Sequence, residues 1–247
     1  MSGHLAVGEP NAAAAIAGLA SGRQMDVAVV RNFWRSVERI PAGASVGASP
    51  DARKRDIVVV SGWISETRIL TDGRRQIFSF LLPGDVATVS SECHLGSRGL
   101  VALTNVEVAD ADALGGGSDR QRAIRQAIRC REDRLFDHVV RIGRLTAKER
   151  VLNLLLELCE RLEVVGLVKE NTFRVPLTQE VFADTLGLSV VHINRTLQQL
   201  RRDGLVTVGR GTVTLHQRHK LASVACYQQG GCDHHLTGWA YRSPAYI

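Results

Sequence analysis

The sequence has few cysteines, no long apolar run and none of the common signatures of catalysis. Its 247 residues include five cysteines. Scattered cysteines in such small number are typical of free thiols in a reducing compartment and not of a disulfide framework. No apolar stretch approaches the length of a membrane span, and the alanine-rich segment 11–20 has no basic flank before it. We therefore expect a cytoplasmic protein that has no membrane partner.

Motifs for common enzyme classes are also missing. The sequence contains no Ser-His-Asp pattern, P-loop or Rossmann fingerprint. A metal-dependent cupin enzyme needs clustered histidines and glutamates on neighbouring strands, yet His94 is the one histidine between residues 55 and 108. We predict that the chain is not an enzyme, with a cupin-type enzyme as the alternative.

Positive charge is concentrated in one part of the chain. The formal net charge is +6, and residues 118–220 hold 19 Lys/Arg against 12 Asp/Glu, whereas residues 1–117 hold 11 against 12. This basic part contains no amphipathic Lys/Arg-rich stretch with aromatic residues, so it suits a nucleic-acid backbone better than a membrane surface.

Residues 176–203 predict two short helices joined by a tight turn. Thr178 and Ser189 are placed to cap the first and second helix, and Gly187 provides the backbone freedom for the turn. The second helix has an apolar stripe at spacings of four and three, consisting of Ile193, Leu197 and Leu200. Its opposite face is polar, carries Arg195 and has no acidic residue before Asp203, which is typical of a helix that enters a DNA major groove.

Two alternating apolar segments around residues 209–211 follow and indicate a hairpin. Helix, turn, helix and hairpin together predict a winged helix-turn-helix. The residues expected to contact DNA are Thr178, Gln179, Ser189, Val190, Val191, His192, Asn194, Arg195, Gln198 and Arg210. The alternative is an ordinary helical pair packed on a hairpin, with Arg195 in solvent.

The first half of the chain has a different pattern of residue types. Short β-branched and aromatic runs broken by turn residues fill residues 55–108 and predict a small antiparallel barrel or jelly roll. Residues 26–40 are expected to form a short helix. The predicted fold class is α+β, with a flexible arm at 1–24, a β-roll sensor domain at 25–117, a dimerisation helix at 118–143, the winged domain at 144–220 and a tail at 221–247.

A long helix is predicted over residues 118–142. Its apolar residues follow a rough heptad, interrupted by Arg131, and they are Ile124, Ile128, Leu135, Val139 and Ile142. Because a lone helix of this length needs a partner for its apolar side, we expect it to pair with its copy in a homodimer. The alternative is packing on its own barrel alone. A capping box, Thr146 to Glu149, opens the next helix, expected to reach Leu162.

Barrel, long helix and winged helix-turn-helix, in this order, resemble the Crp–Fnr family of bacterial transcription regulators. The matching residues are Gly62-Trp63 and residues 72–77 and 80–85 in the barrel, with residues 177–180, 186–195 and 202–205 in the DNA domain. The resemblance implies a homodimer that binds a palindromic double-stranded DNA site and contacts RNA polymerase. It also implies that Arg195 reads a guanine in each half-site and that Thr178 and Ser189 touch phosphates.

The chain departs from the family pattern at Val191. Many members have a glutamate there, whose carboxylate can accept from a cytosine amine, whereas a valine can only pack on a thymine methyl. We therefore predict an altered half-site preference.

The signal that the barrel senses is not identified by the resemblance. Of the Gly-Glu and Arg-Ser pairs that hold a cyclic nucleotide in some members, only Arg98 is present, and Gly99 replaces the serine. Cys93 and His94, compared with ligands of haem-sensing relatives, are adjacent on a strand and so point to opposite faces. No cysteine precedes Cys93, so the four-cysteine iron–sulfur pattern is absent.

We predict no cofactor and no metal site, and we leave the small-molecule effector open, including a barrel that binds none. A haem-, metal- or redox-responsive regulator that uses Cys93 and His94 or the tail is the alternative. The tail residues of suitable chemistry are His216, His219, Cys226, Cys232, Asp233, His234 and His235.

Overall fold

The computed structural model describes residues 27–47, 54–89, 98–114, 117–209 and 211–228. The predicted N-terminal arm lies outside these residues. The helices are α1 (Val27–Arg35), α2 (Ser118–Arg144), α3 (Ala147–Val164), α4 (Gln179–Leu186), α5 (Val190–Arg202) and α6 (Arg218–Val224). The strands are β1 (Glu38–Ile40), β2 (Arg55–Ser61), β3 (Ile64–Ile69), β4 (Arg75–Leu81), β5 (Val86–Val89), β6 (Arg98–Ala102), β7 (Val106–Asp110), β8 (Thr172–Arg174), β9 (Val206–Gly209) and β10 (Thr212–Leu215). No helix in these ranges is both long and apolar enough to cross a bilayer.

The first seven strands form two antiparallel sheets, in agreement with the predicted α+β fold with a β-roll. One sheet has the order β1-β7-β2-β5 and the other β4-β3-β6. Ile57 and Val59 of β2 face the core between the sheets, whereas Val58 and Val60 face outward and are covered by residues of α1 and α2. Because both faces of this strand are covered, it reads as a continuous apolar run rather than an alternating one.

Two glycines of the roll stand at positions that need them. Gly62 has a φ of 84°, and a Cβ there would lie 2.3 Å from the Asn105 carbonyl oxygen. Gly73 has a φ of 87° at the tip of the β3–β4 hairpin, where the Asp72 carboxylate accepts from the Arg74 N–H at 3.0 Å. A side chain at either position would be strained, because left-handed backbone is unfavourable for L-residues other than glycine.

The segment 26–40 differs from its prediction as one helix. The helix ends at Arg35, and β1 follows and pairs antiparallel with β7, with Glu38 opposite Val108. Arg39 forms an ion pair with Glu107 across this ladder at 2.9 Å, and Ile40 is buried. Pairing with a strand about 70 residues further along the chain therefore overrides the local helical pattern.

The winged domain contains two elements that the sequence did not predict. Strand β8 pairs with β10 and makes the predicted β9–β10 hairpin a three-stranded sheet. Helix α6 follows the hairpin, and its Leu221 is fully buried together with the leucines of α3. The predicted domain end at residue 220 therefore falls inside a helix that belongs to the core, and the predicted tail begins too early.

The predicted long helices are confirmed. Helix α2 starts at Ser118 and extends two residues past Ile142, and α3 begins with the predicted capping box. In that box the Thr146 N–H donates to Glu149 at 2.8 Å and the Thr146 hydroxyl accepts from the Glu149 N–H. Two backbone N–H groups at the start of α3, which have no partner within the helix, are thus hydrogen-bonded.

Buried ion pairs join the roll to α2 and α3; we term these five side chains the junction cluster: Asp85, Arg134, Arg141, Glu157 and Arg161. The Asp85 carboxylate accepts from the Leu82 N–H at 2.7 Å and pairs with both Arg134 and Arg161. Glu157 pairs with Arg161 at 3.0 Å and with Arg141. Burial alone would raise the pKa of Glu157, but the charges of Arg141 and Arg161 lower it from 4.5 to about 2.

We expect Glu157→Gln to destabilise the protein by about 3 kcal/mol at pH 7, because it leaves two buried guanidinium groups undercompensated. A carboxyl group with a lowered folded-state pKa contributes stability that is present above its unfolded pKa and lost as the pH falls through the folded value. The wild-type protein should therefore lose stability between pH 4.5 and about 2, and the variant should lose less. Urea unfolding measured across this range tests both expectations.

Glu132→Gln is the matched control, since Glu132 is an exposed carboxylate on α2. Equal stability of the Glu157→Gln and control variants at pH 7 would contradict the assigned role of the junction cluster.

Candidate nucleic-acid interface

Helix α4 begins and ends as its sequence predicts. The Thr178 hydroxyl accepts from the Val181 N–H at 3.2 Å, and Gly187 is left-handed with a φ of 62°. The Gly187 N–H donates to the Ala183 carbonyl, which closes the helix. This cap fixes the sharp turn to the second helix, because a left-handed residue reverses the chain direction within one position.

Helix α5 begins at a serine cap and packs through its predicted stripe. The Ser189 hydroxyl accepts from the His192 N–H at 3.2 Å. Ile193 and Leu200 are fully buried and Leu197 is nearly so, all in the core that α3 and the β9–β10 hairpin share. The helix is therefore held firmly on one side, which leaves the other side to solvent.

The exposed side of α5 carries residues at helical spacings of three and four, and we term them the outward stripe: Val191, Asn194, Arg195, Gln198 and Arg202. All five are exposed, and Val191 is 71% accessible although it is apolar. Within the stripe the Gln198 side-chain amide donates to the Asn194 side-chain carbonyl at 3.0 Å. An exposed row of one apolar, two amide and two cationic side chains has the chemistry that reads base edges and phosphates.

The other predicted DNA contacts lie around this stripe. Thr178 and Gln179 are at least partly exposed at the start of α4, and Ser189, Val190 and His192 are likewise accessible in the first turn of α5. The predicted DNA-contact residues are thus accessible wherever the structure describes them, and Arg210 lies outside the described residues.

The acidic residue that directly follows α5 is neutralised. Asp203, which follows the helix, accepts from Lys148 at 2.6 Å and from Gln199 at 2.7 Å. The hydrogen bond from Lys148 is the main cause that lowers the pKa of the Asp203 carboxyl below its ordinary value. The carboxylate is therefore drawn toward α3, and α5 presents Arg195, Arg201 and Arg202 as its charged groups.

Long-range hydrogen bonds that the sequence did not predict position the helix-turn-helix. The Arg150 guanidinium of α3 donates to the carbonyl oxygens of Leu145 at 2.8 Å and Leu186 at 2.9 Å. Arg75 of β4 pairs with Asp184 of α4 at 2.7 Å, and the Gln76 amide donates to the Thr185 carbonyl at 3.3 Å. The turn is thus fixed to α3, and the outer side of α4 is fixed to the β-roll.

Comparisons with known proteins agree with this geometry. Residues 149–224 match the family model of the Crp-like helix-turn-helix domain. The nitrogen fixation regulation protein FixK of Bradyrhizobium diazoefficiens is 28% identical, over 81% of this chain and 87% of that protein. The transcriptional activator protein FnrL of Cereibacter sphaeroides is 29% identical, over 71% and 73%.

Among solved structures, FixK2 from Bradyrhizobium japonicum superimposes with a TM-score of 0.62 at 25% identity and covers 76% of this chain and 95% of its own. A CRP-family regulator from Thermus thermophilus has the same TM-score at 18% identity, over 78% of this chain and 98% of its own, which supports the fold. The chain is a member of the Crp–Fnr family. It is a DNA-binding transcription regulator of the Crp–Fnr type.

For this Crp–Fnr regulator, the predicted dimerisation residues on α2 do not share one exposed face. Val139 is 62% accessible, but Ile128, Leu135 and Ile142 are partly buried, and Ile124 packs against the core of its own roll. The apolar residues most exposed on this helix are Phe136, at 71%, with Val139 and Val140. The most exposed apolar residues therefore overlap the predicted set only at Val139, and the face that pairs with a second copy stays a prediction.

A set of ion pairs defines the inner side of α2. Arg131, which interrupts the heptad in the sequence, pairs with Glu66 of β3 at 2.6 Å. Arg134 pairs with Asp85. These charged residues turn toward the roll, and the side of α2 that carries Phe136, Val139 and Val140 stays exposed.

The residues proposed for a haem, metal or redox response are only partly described. Cys93, His94 and residues 232–235 lie outside the described residues. Of the described tail residues, His216 contacts the Thr207 hydroxyl through Nε2 at 2.8 Å, and Cys226 is an exposed free thiol. No group of three metal-binding side chains occurs within the described part of the chain.

We expect Ser189→Ala to destabilise the winged domain by about 1 kcal/mol, because the His192 N–H loses its cap. Ser189→Gly should cost only a few tenths of a kcal/mol, because glycine also tolerates the cap backbone. Urea unfolding of both variants measures the difference. Unchanged stability of Ser189→Ala would show that the hydroxyl does not cap α5.

Proposed function

We propose that this regulator binds a palindromic DNA site as a homodimer, with α5 of each protomer in the major groove. The observation that carries the proposal is the outward stripe, which stays exposed while the opposite side of α5 is buried. The stripe is polar and cationic and is centred on Arg195. A helix held rigidly from behind and exposed in front has the arrangement that major-groove recognition requires.

Arg195 is proposed to read a guanine in each half-site. A guanidinium presents two parallel N–H groups, which match the O6 and N7 acceptors of guanine in the major groove. Val191 lies one helical turn before Arg195 on the same stripe and is highly exposed. Packing on a thymine methyl would remove its apolar surface from water, which supports a thymine preference at the base that Val191 meets.

The homodimer is proposed to form along α2. Phe136, Val139 and Val140 form an exposed apolar surface on consecutive helical turns. Pairing of two copies would bury this surface and place the two α5 helices about one DNA turn, roughly 34 Å, apart on a twofold axis. RNA polymerase is proposed as the further partner, as for other transcription regulators, and the cytoplasm as the place of action.

Regulation is proposed to act through α2. Glu66 and Asp85 of the roll pair with Arg131 and Arg134 of this helix, so a change in the roll would change how α2 packs. Repacking of paired α2 helices would rotate the attached DNA domains. We assign no catalytic role to the chain.

We expect Arg195→Ala to cost about 1–3 kcal/mol of affinity for the specific site, because the bidentate contact to guanine is lost. Sites are first selected from random double-stranded DNA, and affinity is then measured by fluorescence anisotropy. The variant should also lose its preference for guanine at that position. Arg201→Ala is the control, since Arg201 is exposed on α5 outside the stripe and should weaken binding to all sequences alike. Unchanged site affinity of Arg195→Ala would refute this assignment.

We expect Val139→Glu to weaken dimerisation and DNA binding together, because it places like charges at the centre of the paired helices. Analytical ultracentrifugation measures the oligomeric state, and anisotropy measures affinity for the palindrome. Val164→Glu is the matched control, since Val164 is an exposed apolar residue at the end of α3, 38% accessible. A Val139→Glu protein that remains dimeric and binds the palindrome fully would exclude α2 as the dimer interface.

A further inference from the structure

The outward stripe contains a polar pair next to Arg195 that the guanine contact does not use. Asn194 and Gln198 are one helical turn apart, both exposed, and joined by the hydrogen bond from Gln198 Nε2 to Asn194 Oδ1. Because both residues belong to the outward stripe, the pair faces the same direction as the proposed DNA-reading residues. No acidic side chain lies on α5 to compete for its donors.

The hydrogen bond leaves Asn194 with one donor edge and one acceptor edge free. An amide oxygen has two lone pairs, of which Gln198 uses one, and the Nδ2 hydrogens meet no partner among the described residues. Adenine presents an N7 acceptor and an N6 donor side by side in the major groove. Asn194 can donate to N7 and accept from N6 while it keeps its bond from Gln198.

The other bases fit this edge less well. Guanine presents two acceptors, so its O6 would face the Asn194 oxygen, and thymine and cytosine each present a single polar group with no N7 beside it. The amide of Asn194 is also held before binding, so less side-chain entropy is lost when the contact forms. The Asn194 amide thus prefers adenine to the other bases and is already held in position before DNA binds.

We propose that Asn194 reads an adenine in each half-site and that Gln198 is its positioning residue. This inference rests on the proposed function of α5. Adjacent α-carbons are about 3.8 Å apart and base pairs about 3.4 Å, so the adenine lies within about two base pairs of the guanine read by Arg195. Gln198 acts by donating to Asn194 Oδ1, which directs Nδ2 toward the base.

Base analogues that remove one acceptor at a time test the inference. The probe is a duplex of the selected palindrome in which each adenine, symmetrically in both half-sites, is replaced in turn by 7-deazaadenine. This analogue keeps its Watson–Crick pairing but lacks N7. We expect a loss of affinity of roughly three- to tenfold at one adenine, since one of two hydrogen bonds is lost. Asn194→Ala, which has no donor at this position, should bind the normal and substituted duplexes equally.

Variants of Gln198 separate positioning from helix stability. Gln198→Lys keeps a donor toward Asn194 Oδ1 and should retain the 7-deazaadenine effect. Gln198→Glu has no donor and should abolish it, whatever happens to overall affinity. Gln199→Ala is the matched control, because Gln199 bonds to Asp203 and Arg202 outside the pair and should retain the effect.

The same duplexes with 7-deazaguanine distinguish failure of the adenine assignment from failure of the proposed DNA-binding function. If a guanine substitution weakens binding but no adenine substitution does, or if Asn194→Ala keeps the adenine effect, the adenine assignment is overturned and the proposed function stands. If the selected and random duplexes bind equally and neither analogue has an effect, both are overturned. A retained adenine effect in Gln198→Glu overturns the positioning role alone.

Discussion

Asp85 is the side chain on which the arrangement of the chain depends, because it joins the β-roll to both of the helices that follow. It bonds to its own turn through the Leu82 N–H and pairs with Arg134 of α2 and Arg161 of α3. Burial would raise the pKa of Asp85, but the two guanidinium charges hold it below its ordinary value. Removing any partner would leave an uncompensated buried charge, so the three segments are coupled while these pairs persist.

The ion pairs that connect α2 to the roll and the proposed dimer surface therefore lie on opposite sides of the same turns of α2. Arg134 and Arg141 point inward to the junction cluster, and the exposed apolar residues Phe136, Val139 and Val140 lie between them. Next to the cluster, Trp63 and Phe80 of the roll share one apolar core with the leucines of α3. A rearrangement in the roll would therefore be transmitted to both α2 and the DNA domain by direct packing.

The sequence predicted the helix-turn-helix well but not the ion pairs that orient α2 on the roll, and the difference is one of sequence separation. Caps at Thr178 and Ser189, the turn at Gly187 and the stripe on α5 depend on neighbours within a few residues. The orientation of α2 depends on pairs such as Arg131 with Glu66, 65 positions apart, which periodicity within one helix cannot reveal. The same limitation explains why β1 and β8 were missed, since each is a short strand defined by a distant partner.

The ion pairs also change the meaning of the charge distribution. Residues 118–220 carry a net positive charge in the sequence, but Arg131, Arg134 and Arg161 pair with Glu66 and Asp85, which belong to the less basic first part. Much of the asymmetry is thus internal and is not available to DNA. On α5 the cationic side chains are Arg195, Arg201 and Arg202. Contacts of these cations to phosphates carry no sequence information, so discrimination between sites rests on the base-reading residues of the outward stripe.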